Sequence, residues 1–277
     1  MNTKQKLGSL FQDIGLGVIN TLSRSSQYQL QSDISFGDNA RQKLDYYQVN
    51  GDVDRPTVLF FYGGNWRSGE KKNYRFVADA LVTHGYNVII PDYRLYPSVR
   101  FDQIQQDSIA ATQWVLDHVP HEQPIFMMGH SAGAQIGALI CLNTALLDED
   151  VSKRINGFIG LAGPYDFFPF SEDHHWDLFS PVERYPESQA VNYVRHDGPP
   201  LYLLHGESDD RVRRGHSKSL MEKVQEVGGR AEREVYAEMG HIGILLQFSP
   251  VHRRSSLVVR DTVAFLNECV CETAPAL

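Results

Sequence analysis

Residues 124–134 read Pro124-Ile125-Phe126-Met127-Met128-Gly129-His130-Ser131-Ala132-Gly133-Ala134, and this stretch decides the fold. Its apolar start predicts a short buried strand, and the small residues from Ala134 to about Leu147 predict a helix. A Gly-x-Ser-x-Gly sequence between a strand and a helix is typical of a sharp turn that presents a nucleophilic serine. The stretch therefore predicts Ser131 as a nucleophile at the tip of a sheet, the alternative being a plain turn in which Ser131 caps the helix.

Strands and helices alternate along the rest of the chain. The sequence predicts strands at 41–50, 57–62, 87–91, 156–162, 201–205 and 232–236, and helices at 73–84, 101–118, 216–227 and 257–269. Most of these strands are apolar throughout, which is typical of a mostly parallel sheet covered by helices on both faces. We therefore predict an α/β fold.

Two segments fall outside this alternation. The stretch 163–198 is irregular and too long for an ordinary connection, so we predict a lid or pocket insertion there. Apolar residues recur at helical spacing between Leu7 and Leu22, which predicts an amphipathic leader helix within residues 1–34 that packs on the body or on a second subunit. Neither an internal repeat nor a linker is evident, so residues 1–277 are expected to form one domain.

Composition excludes several classes of protein. The net charge is −8 and Lys and Arg do not cluster, which argues against nucleic acid and anionic membranes as partners. No segment approaches the roughly 18 uninterrupted apolar residues of a membrane span. Gln12 and Asp13 interrupt the first apolar run and no small-residue cleavage site follows, which argues against a signal peptide. Three cysteines without metal-ligand spacing predict reduced thiols and a cytoplasmic protein with no metal and no cofactor.

A serine hydroxyl needs a base to accept its proton. The chain has eleven histidines, and His130 is too close to Ser131 along the turn to reach its hydroxyl usefully. His241 stands in Met239-Gly240-His241-Ile242-Gly243, a predicted loop just after the last strand of the sheet. We therefore predict His241 as the base, the alternative being a structural loop histidine.

The base needs an acid that orients it, and in this order of motifs the acid lies between the serine and the histidine. Asp209 and Asp210 follow the strand at 201–205, and only one of them can point at the imidazole. Asp209 is the preferred candidate, Asp210 is the alternative, and Asp166 after the preceding strand is a third possibility.

Hydrogen-bond donors for the oxyanion are expected in the loop after the strand at 57–62. The backbone N–H groups of Gly64 and Asn65 can converge there with that of Ala132, the residue after the nucleophile. Beside them, Trp66 is a candidate for the substrate pocket. The insertion supplies further aromatic candidates, several of which are expected to belong to the core instead: Tyr165, Phe167, Phe168, Phe170, Trp176 and Phe179.

Five motifs in one order carry a family resemblance. They are Tyr62-Gly63-Gly64-Asn65-Trp66, Pro91-Asp92-Tyr93-Arg94-Leu95, Gly129-His130-Ser131-Ala132-Gly133, His205-Gly206-x-x-Asp209-x-x-Val212 and Gly240-His241. Together they resemble the α/β-hydrolase superfamily, in the carboxylesterase branch near kynurenine formamidase and the hormone-sensitive-lipase-like esterases. The resemblance implies Ser131 as nucleophile, His241 as base and Asp209 as its orienting acid, with Gly64, Asn65 and Ala132 as oxyanion donors.

One residue departs from that pattern. The resembled branch usually opens its oxyanion loop with His-Gly-Gly, whereas this chain has Tyr62 at the first position. The backbone donors survive the change, but the loop must be braced differently, because tyrosine offers one hydroxyl in place of two ring nitrogens.

The predicted activity is hydrolysis of small or medium carboxylic esters through an acyl-enzyme. Amide hydrolysis of the kynurenine formamidase type is the nearest alternative, because it uses the same residues. A serine peptidase of this fold would normally carry a large extra domain. A non-catalytic binding protein on the same fold is the remaining alternative, although such proteins tend to lack the nucleophile or the base.

Overall fold

An eight-stranded sheet forms the centre of the structure. The computed structural model describes residues 20, 28–51, 55–147 and 152–273. The strands are β1 (Tyr28–Ser35), β2 (Lys43–Val49), β3 (Thr57–Phe61), β4 (Asn87–Pro91), β5 (Ile125–His130), β6 (Ile155–Leu161), β7 (Leu201–Gly206) and β8 (Ala231–Tyr236). Their order in the sheet is β1-β2-β4-β3-β5-β6-β7-β8. The β1–β2 and β2–β4 pairs are antiparallel and all the others are parallel.

Helices connect most of the parallel strands, as expected for crossovers in an α/β fold. They are α1 (Arg75–Val82), α2 (Phe101–His118), α3 (Ala132–Leu142), α4 (Asp173–Leu178), α5 (Gly215–Glu226), α6 (His241–Leu246) and α7 (Leu257–Thr273). Short 3-10 helices lie at Lys71–Tyr74, Val182–Ser188 and Ala190–Tyr193.

The three central strands β3, β4 and β5 are buried along their whole length, which explains their nearly unbroken apolar sequences. At the far edge, β8 alternates between buried and more exposed residues.

The parallel register brings the carboxyl ends of the strands to one edge of the sheet. Phe61 at the end of β3 lies opposite Gly129 of β5, and His130 lies opposite Leu161 of β6. Gly206 at the end of β7 lies opposite Tyr236 of β8. The loops after β3, β5, β7 and β8 therefore meet at that edge, where open α/β sheets bind their ligands.

The predicted α/β fold is confirmed, and the predicted bounds of β4 and α2 coincide with the observed ones. The helix after Ser131 ends at Leu142, five residues earlier than predicted, and Asn143 is its C-cap. The loop predicted from Gly240 is wrong from His241 onward, because α6 begins at that residue.

Strand β1 was not predicted, and it occupies the end of the segment 1–34 that was assigned to a leader helix. Most of its residues are exposed, so the alternation of Tyr28, Leu30 and Ile34 with polar residues is only a weak strand signal, and the pairing with β2 defines the strand. The predicted helix around residues 7–22 lies outside the described residues, apart from Asn20.

The insertion 163–198 connects β6 to β7 and contains α4 and two of the 3-10 helices. Its role as a lid, and the assignment of residues 1–277 to one domain, stay predictions. Within the described ranges, no helix has the length and apolar character that crossing a membrane requires.

Candidate active site

Ser131 occupies a strained turn between β5 and α3. Its φ of 53° lies in the left-handed region, and its N–H donates a hydrogen bond to the Leu161 carbonyl at 2.9 Å. A Cβ on Gly133 would lie 2.1 Å from the Phe61 carbonyl oxygen, and one on Gly129 would lie 2.3 Å from the Gly133 carbonyl oxygen. Both glycines of the motif are therefore required for strand and helix to approach this closely.

The structure brings Ser131, His241 and Asp209 together in one hydrogen-bonded chain. Ser131 Oγ lies 2.8 Å from His241 Nε2, and His241 Nδ1 lies 2.8 Å from Asp209 Oδ2. The three residues come from the turn after β5, the start of α6 and the loop after β7. The imidazole is 6% exposed, so bulk water does not separate it from its partners. This arrangement suits proton transfer from the hydroxyl to the imidazole.

Both carboxylate oxygens of Asp209 are engaged. Oδ1 accepts backbone N–H bonds from Arg211 and Val212, each at 2.9 Å, while Oδ2 faces His241 and lies 3.2 Å from His205 Nε2. Burial raises the pKa of Asp209, but the hydrogen bonds from His205 and His241 outweigh it and hold the pKa well below its ordinary value. The carboxylate therefore stays ionised at neutral pH and favours the Nδ1–H tautomer of His241.

The other two acid candidates lie elsewhere. Asp210 is exposed, while the Asp209 side chain is only 1% exposed. Asp166 accepts hydrogen bonds from Ser219 through its side chain and from His216 through its carbonyl. The structure thus places Asp209, and neither alternative, against the imidazole.

Two further histidines, neither of which has a predicted role, contact the site. His205 is fully buried, and its Nε2 lies 2.9 Å from the Val212 carbonyl as well as close to Asp209. His130 donates from Nε2 to the backbone carbonyl of His241 at 2.9 Å. Burial lowers the pKa of His130 to about 3, so it remains a neutral donor. The sequence places both histidines at the ends of strands, β5 and β7, but their hydrogen-bond partners depend on the tertiary structure.

The predicted oxyanion donors lie in what we call the β3 loop (residues 63–69) and at the start of α3. Gly64, Asn65 and Trp66 all have positive φ, at 133°, 54° and 57°. Within the part of the chain that the structure describes, no loop or cap hydrogen bond is donated by the backbone N–H of Gly64, Asn65 or Ala132. A Cβ on Gly63 would lie 2.9 Å from Ser131 Cβ, so the loop passes directly beside the nucleophile.

The predicted pocket residues differ in their surroundings. Trp66 is 2% exposed, its Nε1 donates to Gln135 Oε1 at 3.2 Å, and its ring stacks on half-buried Phe167 with a centroid distance of 5.9 Å. Tyr165 is fully buried and packs against Phe158, so its side chain belongs to the hydrophobic core in this structure. Phe168 and Trp176 are 49% and 40% exposed, and their rings contact each other and the buried ring of Phe170.

One cluster among the described residues has the composition of a metal site. The potential ligand atoms of Glu172, His174 and His175 all lie within 4.8 Å of one another. Glu172 and His175 are already hydrogen-bonded to the Asn65 side chain, so two of the three side chains have another partner.

With this geometry established, comparison with known proteins identifies the chain. The BD-FAE family model matches residues 44–224, a range that includes the β3 loop, Ser131 and Asp209. The chain belongs to the BD-FAE family.

Curated relatives of this BD-FAE chain include isoprenylcysteine methylesterases and kynurenine formamidases. It is 28% identical over 248 residues to an isoprenylcysteine α-carbonyl methylesterase of Arabidopsis thaliana, covering 79% of this chain and 58% of the relative. It is 31% identical over 142 residues to a kynurenine formamidase of Danio rerio, covering 51% and 48%. The chain thus spans about half the length of the curated relatives it matches.

Solved structures support the fold. Esterase B from Lactobacillus rhamnosis superimposes with a TM-score of 0.78 at 16% identity and covers 98% of this chain and 95% of its own. A putative thioesterase from Silicibacter superimposes with a TM-score of 0.75 at 21% identity, covering 88% and 89%. The BD-FAE chain therefore has the α/β-hydrolase fold.

Tyr62, the departure from the resembled esterases, is itself buried and is braced by a partly buried polar network. Its hydroxyl donates to Asp92 Oδ1 at 2.6 Å and accepts from an Arg41 Nη2 at 3.0 Å. Its ring stacks between Tyr74 and Tyr93, with centroid distances of 5.0 and 4.8 Å. In this BD-FAE protein a phenol, a carboxylate and a guanidinium therefore hold the start of the β3 loop.

Removing the Tyr62 hydroxyl should destabilise the folded protein. In Tyr62→Phe, the Asp92 carboxylate and Arg41 lose a buried partner, so we expect the free energy of unfolding to fall by about 1–3 kcal/mol. Urea denaturation measures this change, with Tyr193→Phe, a half-buried tyrosine outside the β3 loop, as the control. A Tyr62→Phe variant no less stable than the Tyr193→Phe control would contradict the bracing role.

Proposed function

We propose that this protein is a carboxylic ester hydrolase in which Ser131, His241 and Asp209 act as nucleophile, base and orienting acid. The hydrogen-bonded chain from Ser131 Oγ through His241 to Asp209 is the observation that carries the proposal. It lies beside a β3 loop in which the N–H groups of Gly64 and Asn65 donate no loop or cap hydrogen bond to any residue the structure describes. Similarity to a methylesterase and to esterase structures supports it.

In the proposed reaction, Ser131 Oγ attacks the ester carbonyl while His241 Nε2 accepts the hydroxyl proton. Asp209 remains ionised and stabilises the imidazolium that forms. The negative charge that develops on the carbonyl oxygen is stabilised by the N–H groups of Gly64, Asn65 and Ala132, and by the N-terminus of α3.

The tetrahedral intermediate then collapses. The C–O bond to the leaving alcohol breaks and His241 returns its proton to that oxygen, which leaves an acyl group on Ser131. A water molecule gives a proton to His241 Nε2 and attacks the acyl carbon. The bond from that carbon to Ser131 Oγ then breaks, His241 returns the proton to Oγ, and the carboxylic acid is released. The sequence of steps needs neither metal nor cofactor.

The proposed substrates are small or medium esters. Phe167 and the exposed aromatic rings of the insertion offer apolar surface for an acyl or alcohol group, and Trp66 backs that surface from the β3 loop.

Hydrolysis of p-nitrophenyl esters of increasing acyl length tests the proposal. We expect turnover of the short esters, together with covalent labelling of Ser131 by a fluorophosphonate probe. Absence of both would leave a non-catalytic binding protein on this fold as the better description.

A second candidate activity is hydrolysis of an N-formyl aniline. It is favoured by the similarity to kynurenine formamidase, and the same residues suffice when His241 protonates the leaving amine. Comparing kcat/KM for N-formylkynurenine with that for the best p-nitrophenyl ester separates the two activities. A value for the formamide well above that for every ester would reassign the substrate.

A further inference from the structure

The insertion 163–198 is hydrogen-bonded to the β3 loop through the side chain of Asn65. Asn65 Nδ2 donates to Glu172 Oε2 at 3.0 Å, and His175 Nε2 lies 2.8 Å from Asn65 Oδ1. These bonds join residues more than 100 positions apart in the sequence. They connect the insertion directly to a loop residue whose backbone N–H is a proposed oxyanion donor.

The hydrogen-bond roles in this contact are fixed by chemistry. Oδ1 of Asn65 can only accept, so His175 must carry its proton on Nε2. Burial lowers the pKa of His175 to about 3, so the ring is neutral and has one N–H to give. The Asn65 carboxamide therefore donates on one side and accepts on the other.

The same contact holds a strained backbone. Asn65 and Trp66 both have left-handed φ, which asparagine tolerates but which is unusual for a bulky residue such as tryptophan. Strained conformations persist only where their surroundings determine them. Trp66 is held by ring contacts with Phe167, Phe179 and His175, all of which belong to the insertion. Both left-handed side chains of the loop thus contact the insertion, while Trp66 is also held by Gln135 of α3 and Phe101 of α2.

We propose that Glu172 and His175 are positioning residues that act through the Asn65 side chain to aim the oxyanion donors of the β3 loop. The inference rests on the proposed ester hydrolysis. It makes the insertion a determinant of kcat, in addition to any contact that it makes with substrate.

Exchanging the hydrogen-bond donor and acceptor between residues 65 and 172 tests this contact. In Asn65→Asp, a carboxylate would face the Glu172 carboxylate, and we expect kcat for a short p-nitrophenyl ester to fall about tenfold while KM changes less than about twofold. In Glu172→Gln alone, the amide oxygen still accepts from Asn65, so kcat should fall less than about threefold. Combining Asn65→Asp with Glu172→Gln supplies an amide donor to the new carboxylate, and we expect kcat to rise about threefold or more above that of Asn65→Asp.

Glu183→Gln in the Asn65→Asp background is the matched control, because Glu183 is an exposed glutamate of the same insertion and should give no rescue. His175→Phe keeps an aromatic ring beside Trp66 but removes the N–H, and it should also lower kcat at nearly constant KM. The inference is overturned if Glu172→Gln and Glu183→Gln behave alike in the Asn65→Asp background, or if KM rises while kcat is unchanged.

Fluorophosphonate labelling separates this inference from the proposed function. The labelling rate depends on Ser131 and the oxyanion donors but not on ester specificity, so it should follow kcat across the same variants. A wild-type protein that is neither labelled nor active on any p-nitrophenyl ester would refute the hydrolase proposal itself. A wild-type protein that is labelled no faster than Asn65→Asp would refute only the positioning role.

Discussion

Replacing Ser131 with alanine is expected to lower kcat for p-nitrophenyl ester hydrolysis by about 10⁴- to 10⁶-fold. The substitution removes the oxygen that forms the acyl-enzyme, while the backbone donors and the imidazole remain. Any residual activity would come from direct attack of water on the ester, with the backbone N–H groups still stabilising the oxyanion. Steady-state kinetics with a short ester measures the loss, and fluorophosphonate labelling should disappear in parallel.

The fold should survive this change. The Ser131 N–H bond to Leu161 involves only backbone atoms, and both flanking glycines are retained. Circular dichroism and the thermal midpoint should therefore remain close to the wild-type values. Ser208→Ala, an exposed serine at the same edge of the sheet, is the control and should retain full activity. A Ser131→Ala variant with more than about a tenth of wild-type kcat would exclude Ser131 as the nucleophile.

Replacing Asp209 with asparagine is expected to lower kcat by about 10⁴-fold. Oδ1 of Asp209 accepts two backbone N–H groups, so an asparagine oxygen must remain there and its NH₂ must face His241. His241 Nδ1 would then accept that hydrogen bond and the ring proton would move to Nε2. In that tautomer Nε2 cannot accept the Ser131 proton, so the base is lost although its position is kept.

Asp210→Asn is the matched control, because it makes the same chemical change one residue along the chain on an exposed side chain. Its kcat should remain within about twofold of the wild-type value. The reverse result, with Asp210→Asn slow and Asp209→Asn active, would assign the acid to Asp210.

The side-chain contacts of Tyr62 and Asn65 cannot be predicted from the sequence. The sequence identified Tyr62 as a departure from the resembled esterases but could not name its new partners. Those partners, Asp92 and Arg41, come from the loop after β4 and from the residues before β2. Asn65 was predicted only as a backbone donor, because nothing local to it indicates Glu172 or His175. Side-chain contacts across such separations depend on how the loops pack at the sheet edge.

Errors in the secondary structure have a related cause. Strand β1 has only a short apolar alternation, Tyr28, Leu30 and Ile34, because most of the strand is exposed, so its hydrogen bonds to β2 define it. Helix α6 begins at His241 within a glycine-containing run that reads locally as a loop. Tyr165 was an aromatic pocket candidate by its place in the insertion, and its complete burial became apparent only from its packing on Phe158.

The sequence by itself determined the α/β class, the turn around Ser131 and the short set of candidate residues, because apolar runs, glycine spacing and motif order are local properties of the chain. Only the tertiary structure decided that Asp209 rather than Asp210 or Asp166 meets His241, and that Tyr62 and Asn65 are held by distant side chains. The physical reason is that the parallel register brings four separate loops to one edge, and the direction of a side chain within such a loop follows from packing and hydrogen bonding among all four.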